Sequence, residues 1–128
     1  MILDSSVLVA VLLKEPGWQG LLGRIAADET AAVGAPTLAE TGLVLTARLG
    51  RDARRLLSSF VREAGITVLP FVEEHARVAV EAYARYGKGR HPAALNFGDC
   101  LTYAVARLAG QPLLCVGDDF PRTDLPIA

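Results

Sequence analysis

Short apolar segments alternate with stretches of helical periodicity along this chain, and this alternation constrains its fold more than any other feature. Strands are predicted at residues 2–3, 31–34, 66–69 and 113–116, of which the alanine-rich second is the weakest. Helices are predicted at residues 5–14, 18–27, 36–49, 52–64, 72–86 and 96–109. We therefore expect an α/β fold, in which a small parallel sheet of about four to five strands has helices on both faces.

The length and composition are those of one globular domain. The chain has 128 residues, of which 52% are hydrophobic and 21% charged, so a single domain over residues 1–128 is expected. Its net charge of −1 argues against nucleic-acid binding by bulk charge alone, which leaves a local basic patch or a metal ion. The apolar N-terminus has no basic residue before Lys14 and is interrupted by Asp4, unlike a signal peptide or a membrane span. These features predict a cytoplasmic protein with no membrane segment.

Acidic residues are predicted to meet at one edge of this sheet. They are Asp4, Glu40, Asp99 and the adjacent pair Asp118 and Asp119. Asp4 ends the first strand and the pair follows the last strand, so both lie at the carboxyl edge, where open α/β sheets bind ligands. Glu40 and Asp99 are each expected in the first turn of a helix that begins at the same edge. Carboxylates brought together in this way repel one another unless a cation lies between them.

This cluster predicts a Mg²⁺ site, which Mn²⁺ can also occupy, because hard cations prefer carboxylate oxygens. Asp4 and Asp99 are expected to bind the metal directly, and Glu40 to bind it or to position a second ion. Asp119 or Asp118 would complete the site or orient the attacking water. Ions held in this way lower the pKa of bound water and offset charge on phosphorus, so the predicted function is that of a metal-dependent nuclease.

Helix capping explains part of the same pattern. Thr37 and Glu40 have the spacing of a capping box, and Asn96 followed by Asp99 has the spacing of a cap residue and an acid in the first turn. Neighbouring polar residues have two possible roles. The hydroxyl of Ser6 would either hold a carboxylate or water or cap the first helix, and Asn96 would either fix Asp99 by a hydrogen bond or serve as a cap. Taken singly each acid is more often structural, and their convergence favours a site.

Four segments match a known family in order along the chain: MILDSSVLVAVLLKEP, PTLAET, YGKGRHPAALNFGDCLTYAVA and QPLLCVGDDFPRTDL. In them the chain resembles the PIN-domain ribonucleases, specifically the VapC-type toxins of bacterial toxin–antitoxin pairs. The resemblance implies a PIN-like fold and an acid triad of Asp4, Glu40 and Asp99 that binds Mg²⁺ or Mn²⁺ and cleaves RNA by water attack. It favours Asp119 as the fourth acid and leaves Asp118 in a supporting position. It also implies a cognate VapB-type antitoxin and a toxin homodimer.

Basic residues suggest where RNA would lie. The loop at residues 87–92, GKGRHP, precedes the Asp99 helix, and Lys88 and Arg90 in it are predicted to contact the RNA backbone. A basic helix face is ranked below this loop, because charged faces are usually only solvated. That face consists of Arg51, Arg54, Arg55 and Arg62.

Two other classes of function use similar residues. The first is a catalytically inactive PIN-like module that binds RNA or protein, and the presence of every acid argues against it. The second is a receiver-like or phosphatase domain that uses Asp4. An aspartyl-phosphate phosphatase would need a second Asp where Ser6 stands, and a receiver would need a Lys after the last strand, which GDDFPR lacks.

Overall fold

Four short strands form one parallel sheet in the computed structural model, which describes residues 1–128. They are β1 (Ile2–Leu3), β2 (Ala32–Gly34), β3 (Thr67–Leu69) and β4 (Leu113–Leu114). Their order across the sheet is β3-β2-β1-β4, and each neighbouring pair is parallel. The predicted α/β class with a small parallel sheet is confirmed, with four strands.

Six helices connect and cover the strands. They are α1 (Ser5–Leu12), α2 (Trp18–Ala27), α3 (Ala35–Leu49), α4 (Arg54–Glu63), α5 (Glu73–Tyr86) and α6 (Phe97–Ala109). Their number and order match the prediction, and only their ends differ. For example, α1 ends before Lys14 because that residue takes a left-handed φ of 53°. None of these helices has the length and apolar character needed to cross a membrane.

Each face of the sheet carries its own hydrophobic core, because successive residues of a strand point to opposite sides. On one face Ile2 and Leu113 pack with the buried residues of α5 and α6. On the other face Leu3 and Leu114 pack with residues of α1, α2 and α4. Helices therefore cover both faces, as the sequence predicts.

The strand β4 is two residues shorter than the apolar run that predicted it. It ends at Leu114, and the N–H of Val116 donates a hydrogen bond to the hydroxyl of Ser6 at 3.0 Å instead of extending the ladder. The chain consequently leaves the sheet beside the start of α1. The loop that contains Asp118 and Asp119 therefore begins near Asp4, the residue that precedes α1.

The chain end folds back along β4. The N–H of Leu113 donates to the carbonyl of Pro126 at 2.9 Å, and the N–H of Ala128 donates to the carbonyl of Leu113 at 2.8 Å. These bonds cover the outer edge of the sheet, which would otherwise present unpaired amides. A 3₁₀ turn, Phe120–Arg122, leads into this segment, and Phe120 and Leu125 are buried in the core formed with α5 and α6.

Candidate active site

Asp4 follows β1 directly and is the N-cap residue of α1. Its Oδ2 accepts a hydrogen bond from the N–H of Ser6 at 3.1 Å, and the residue is only 5% exposed. A carboxylate at this position is favoured by the unpaired amides and the positive end of the helix. Asp4 therefore lies at the carboxyl edge of the sheet, where the sequence places it, and it is both a cap and an edge residue.

Asp99 and Asn96 form a reciprocal capping box at the start of α6. The N–H of Asn96 donates to Oδ2 of Asp99 at 3.0 Å, and the N–H of Asp99 donates to Oδ1 of Asn96 at 2.9 Å. The main-chain amide of Asn96 thus fixes the Asp99 carboxylate, and the Asn96 side chain in turn accepts a hydrogen bond from the Asp99 amide. Its second oxygen, Oδ1, accepts no hydrogen bond within the protein.

Glu40 lies in the second turn of α3, so the prediction that it lies in the first turn is wrong. The helix begins at Ala35 with Gly34 as its N-cap, three residues before the expected cap. Thr37 and Glu40 consequently form no capping box. The carboxyl group of Glu40 instead lies against Gly98 of α6, where an added β-carbon would come within 2.9 Å of the Glu40 Cδ.

Two features hold the Glu40 helix and the Asp99 helix together. The missing side chain at Gly98 leaves room for the Glu40 carboxyl group beside the residue that precedes Asp99. Deeper in the core, the hydroxyls of Thr37 and Thr102 form a hydrogen bond of 2.9 Å, and both residues are buried. The acids on α3 and α6 are therefore neighbours although 58 residues of sequence lie between Glu40 and Asp99.

The acids act on one another electrostatically. The pKa of Asp99 is raised to about 6, mainly by desolvation and to a smaller extent by the charges of Asp4, Asp119 and Glu40, while the hydrogen bond from the Asn96 amide opposes the rise. The thiol of Cys115 has its pKa raised to about 11, first by desolvation and then by three of the same acids. Like charges that act on one another in this way favour the binding of a cation.

The structure separates the two adjacent aspartates of the GDDF turn. Both are exposed in the loop after β4. Asp119 is close enough to raise the pKa of Asp99 and of Cys115, whereas Asp118 contributes to neither shift. The charge of Asp119 therefore acts on Asp99 and Cys115, and no such effect comes from Asp118.

The acids lack cationic partners in the protein. None of the ion pairs of the chain involves Asp4, Glu40, Asp99, Asp118 or Asp119. No three His, Cys, Asp or Glu side chains are arranged so that they could together hold a metal ion in this conformation. The donor set nevertheless fits a hard cation, because Oδ1 of Asp4, Oδ1 of Asp99 and both Glu40 oxygens accept no hydrogen bond and none of these atoms is sealed from solvent.

The basic loop precedes α6, as predicted. Lys88 and Arg90 are both exposed, and the guanidinium group of Arg90 lies 5.6 Å from the ring centre of Tyr83 on α5. A backbone bond from the N–H of Lys88 to the carbonyl of Leu95 at 2.9 Å closes the loop. The two basic side chains therefore lie on a hydrogen-bonded turn, eleven and nine residues before Asp99 in the chain.

Asp124 is a residue that the sequence analysis missed. Its carboxylate accepts hydrogen bonds from the hydroxyl of Tyr103 at 2.7 Å, from Arg107 at 3.1 Å and from Arg85 at 3.3 Å. Desolvation acts to raise the pKa of Asp124, but these three partners outweigh it and hold the pKa below its usual value. Tyr103 and Arg107 are four residues apart and so share a helix face, but nothing in the sequence indicates the partner that they meet.

Comparison with known proteins agrees with this geometry. The PIN domain family model matches residues 1–125. Ribonuclease VapC36 of Mycobacterium tuberculosis is 49% identical over 126 residues, which are 98% of this chain and 91% of that protein. The crystal structure of Mycobacterium tuberculosis VapC20, a toxin that cleaves the sarcin–ricin loop, is similar with a TM-score of 0.81 and 18% identity, over 99% of this chain and 97% of that one. A toxin–antitoxin complex from Klebsiella pneumoniae gives a TM-score of 0.72 and 16% identity, over 99% and 95%.

The four-stranded parallel sheet, the helices on both faces and the acidic carboxyl edge define a PIN-type fold. The chain belongs to the PIN-domain family, and within that family to the VapC-type ribonucleases.

Proposed function

We propose that this protein is a metal-dependent endoribonuclease that hydrolyses RNA phosphodiester bonds as the toxin of a type II toxin–antitoxin pair. One observation carries the proposal. In a member of the PIN-domain family, carboxylates from two helix starts, the second turn of a third helix and one loop come together at the carboxyl edge, and none of them forms an ion pair with a basic side chain. The relative from Mycobacterium tuberculosis that is 49% identical to this chain is named as a ribonuclease, which supports RNA as the substrate.

Each acid has a part in this proposal. Asp4, Asp99 and Glu40 are the residues that would hold Mg²⁺, or Mn²⁺ in its place, and such an ion when bound supplies activation of water and relief of charge on phosphorus. Asp119, exposed on its loop and close enough for its charge to raise the pKa of Asp99, would orient the attacking water. The attacking water gives up a proton to solvent as its oxygen forms a bond to phosphorus, the bridging P–O bond breaks, and the leaving oxygen takes a proton from solvent.

Neighbouring polar groups would keep these acids in place. The backbone amides of Ser6 and Asn96 hold one oxygen of Asp4 and one of Asp99, which leaves the other oxygen of each carboxylate free. The Ser6 hydroxyl, bonded to the N–H of Val116, ties the loop with the fourth acid to the start of α1. Asp118 lies beside this group and would add negative charge to it without binding directly.

RNA contacts are assigned to the basic loop. Lys88 and Arg90 are exposed on the turn that leads into α6, so they would bind backbone phosphates on either side of the scissile bond. These contacts would position the RNA without reading its sequence.

Exposed apolar residues support two protein partners, a cognate VapB-type antitoxin and a second copy of the chain. Leu43 on α3, Val80 on α5 and Phe97 on α6 are 73%, 71% and 67% exposed. Phe97 and Leu43 also line a groove that contains Glu40, so an antitoxin segment lying in this groove would cover an acid of the site. We assign the protein to the cytoplasm, where both RNA and antitoxin are made.

The test is cleavage of a structured RNA by purified protein with and without Mn²⁺. We expect metal-dependent cleavage by the wild type and its loss in Asp99→Asn. Glu81→Gln is the matched control, because it also removes one carboxylate charge but lies on the exposed surface of α5. Cleavage that survives Asp99→Asn would show that the activity belongs to another centre or to a contaminant. A wild type that binds RNA but never cleaves it would favour the inactive PIN-like module.

A further inference from the structure

Positive charge is concentrated at one turn, away from the acids. Residues 48–55 contain four arginines and a single aspartate, a net charge of +3 in a chain whose total is −1. These residues form the end of α3, the connecting turn and the start of α4. The segment is therefore strongly basic within a slightly acidic protein, and the charge is carried by arginine alone.

The turn is held in one shape by its own contacts. Arg54 forms an ion pair of 2.7 Å with Asp52, whose pKa is lowered mainly by that hydrogen-bonded guanidinium group. The N–H of Ala53 donates to the hydroxyl of Thr46 at 3.1 Å, and Ala53 is fully buried against α3 with Leu57. The backbone from which the arginine side chains extend is therefore ordered by these contacts.

The basic side chains outline an open polar hollow. Its lining consists of Arg51, Asp52, Arg54, Arg55 and Ser58, and its volume is about 660 Å³. No hydrophobic residue lines it, whereas the adjoining groove between α3 and α4 has seven hydrophobic residues among its thirteen lining residues. A polar hollow lined by guanidinium groups suits phosphate oxygens, which arginine binds in a bidentate manner.

Unpaired arginines are grouped at this turn, whereas Arg24, Arg62 and Arg122, which also form no ion pair, lie singly elsewhere in the chain. On α5 and α6, Arg77 pairs with Glu74, while Arg85 and Arg107 share Asp124. Arg51 and Arg55 are exposed and take part in no ion pair. The one acid of residues 48–55, Asp52, pairs with Arg54, so the charges of the other arginines remain available to a polyanion.

The distance between the turn and the acids can be spanned by a few nucleotides of RNA. Glu40 and Gly50 are ten residues apart along α3 and its C-cap, so the turn is about 15 Å from Glu40 along the helix at 1.5 Å per residue. Stacked nucleotides advance by about 3.4 Å along one strand, so an RNA at the acids would reach the turn within about five nucleotides.

We propose that Arg51, Arg54 and Arg55, here named the arginine tip, bind phosphates of the RNA substrate several nucleotides from the cleaved bond. The inference rests on the proposed function, since it assumes that the ligand at the acids is RNA. The arginine tip supplies affinity and holds the RNA across α3, while the acids supply the chemistry. It gives a protein without bulk positive charge a local surface for its polyanionic substrate.

The test measures binding separately from cleavage. Asp99→Asn protein is titrated into a labelled RNA stem–loop at several salt concentrations, with and without Arg51→Ala and Arg55→Ala together. We expect Kd to rise about tenfold, and the slope of log K against log salt to become shallower by about two, one for each lost phosphate contact. In the active background KM should rise while kcat stays unchanged. Arg24→Ala with Arg77→Ala is the matched control, because it removes the same charge from other exposed helices and should leave the slope intact.

Three results would overturn the inference. An unchanged salt slope would show that the arginine tip makes no phosphate contacts, and an equal loss in the control pair would show that only net charge matters. If RNA binding is intact while binding of a purified antitoxin weakens, the tip serves a protein partner instead. A wild type that neither binds nor cleaves RNA would remove the proposed function as well, which distinguishes that failure from a failure of the tip alone.

Discussion

The hydroxyl groups of Thr37 and Thr102 lie 2.9 Å apart in the core, and this contact joins the helix of Glu40 to the helix of Asp99. Each threonine lies three residues, about one helical turn, from the acid on its own helix: Thr37 precedes Glu40 and Thr102 follows Asp99. Both residues are buried, so neither hydroxyl has water as an alternative partner. The spacing between two of the proposed metal ligands is therefore set by a buried polar contact as well as by apolar packing.

Replacing one of these threonines by valine should destabilise the protein more than replacing both. Thr37→Val or Thr102→Val leaves one buried hydroxyl without a partner, which costs about 1–3 kcal/mol of unfolding free energy. The double variant removes both hydroxyls and keeps the shape, so its stability should return toward that of the wild type. Urea unfolding of the four proteins gives the coupling energy, and strictly additive losses would contradict the contact.

A methyl group at Gly98 should impair cleavage without impairing folding. The β-carbon of Gly98→Ala would overlap the Glu40 carboxyl group, which is the flexible end of a side chain and can move away. Alanine also favours a helix over glycine by about 1 kcal/mol, so the thermal stability should be unchanged or higher. Displacement of the carboxylate should lower kcat/KM about ten- to a hundredfold.

The control for that change is Gly23→Ala in α2, where an added β-carbon meets no atom within 4 Å. It should keep full activity and show the same gain in helix propensity. A Gly98→Ala protein as active as this control would mean that Glu40 is not held where the structure has it. In a Glu40→Gln background, Gly98→Ala should cause no further loss.

The local parts of this site were accessible from sequence, and the long-range parts were not. Asp4 and Asp99 were placed correctly because a strand end and an N-cap are signalled by their immediate neighbours. Glu40 was put one turn too early because the helix begins three residues before the polar residue that resembled a cap. The contacts of Thr37 with Thr102 and of Asp124 with Tyr103 span 65 and 21 residues. Neither pair belongs to a periodic pattern, and only the tertiary fold brings them together.

Asp99 should make the metal-free protein less stable as the pH rises. Its pKa in the folded state is about 6, above the ordinary value of 3.8, so the folded protein binds this proton more tightly than the unfolded chain. Stability from this group is therefore fully present below about pH 4 and is lost as the pH rises to about 6. Asp99→Asn, which keeps an oxygen for the Asn96 amide, should avoid that loss.

Thermal denaturation in a chelating buffer measures the difference in stability between the wild type and Asp99→Asn. The melting temperature of Asp99→Asn should exceed that of the wild type at neutral pH, and the gap should close toward pH 4. Partial exposure of Asp99 to solvent makes the expected gap modest. A gap that does not change with pH would show that Asp99 ionises normally in the folded protein.

Addition of Mn²⁺ should restore the stability that the wild type loses when Asp99 ionises. A ligand that binds only the folded state stabilises it by mass action, by about 2.7 kcal/mol at about a hundred times its Kd. Asp99→Asn and Asp4→Asn should show a much smaller gain, because each lacks one of the carboxylate oxygens that are free in the structure. Equal stabilisation of the wild type and both variants would place the bound ion elsewhere.

Asp124 should anchor the C-terminal segment by its charge and by its hydrogen bond to Tyr103. Asp124→Ala leaves Arg85 and Arg107 unpaired and takes the acceptor from a largely buried hydroxyl, so unfolding free energy should fall by about 2 kcal/mol. Tyr103→Phe removes only the hydrogen bond and should lose about 1 kcal/mol. Asp124→Asn keeps an oxygen that accepts the hydrogen bond of Tyr103 but lacks the charge that pairs with both arginines. If it lowers the unfolding free energy more than Tyr103→Phe does, the ion pairs contribute more to stability than the hydrogen bond. Glu81→Ala, an exposed change on α5, serves as the reference in urea unfolding, and an Asp124→Ala protein as stable as this reference would contradict the anchoring role.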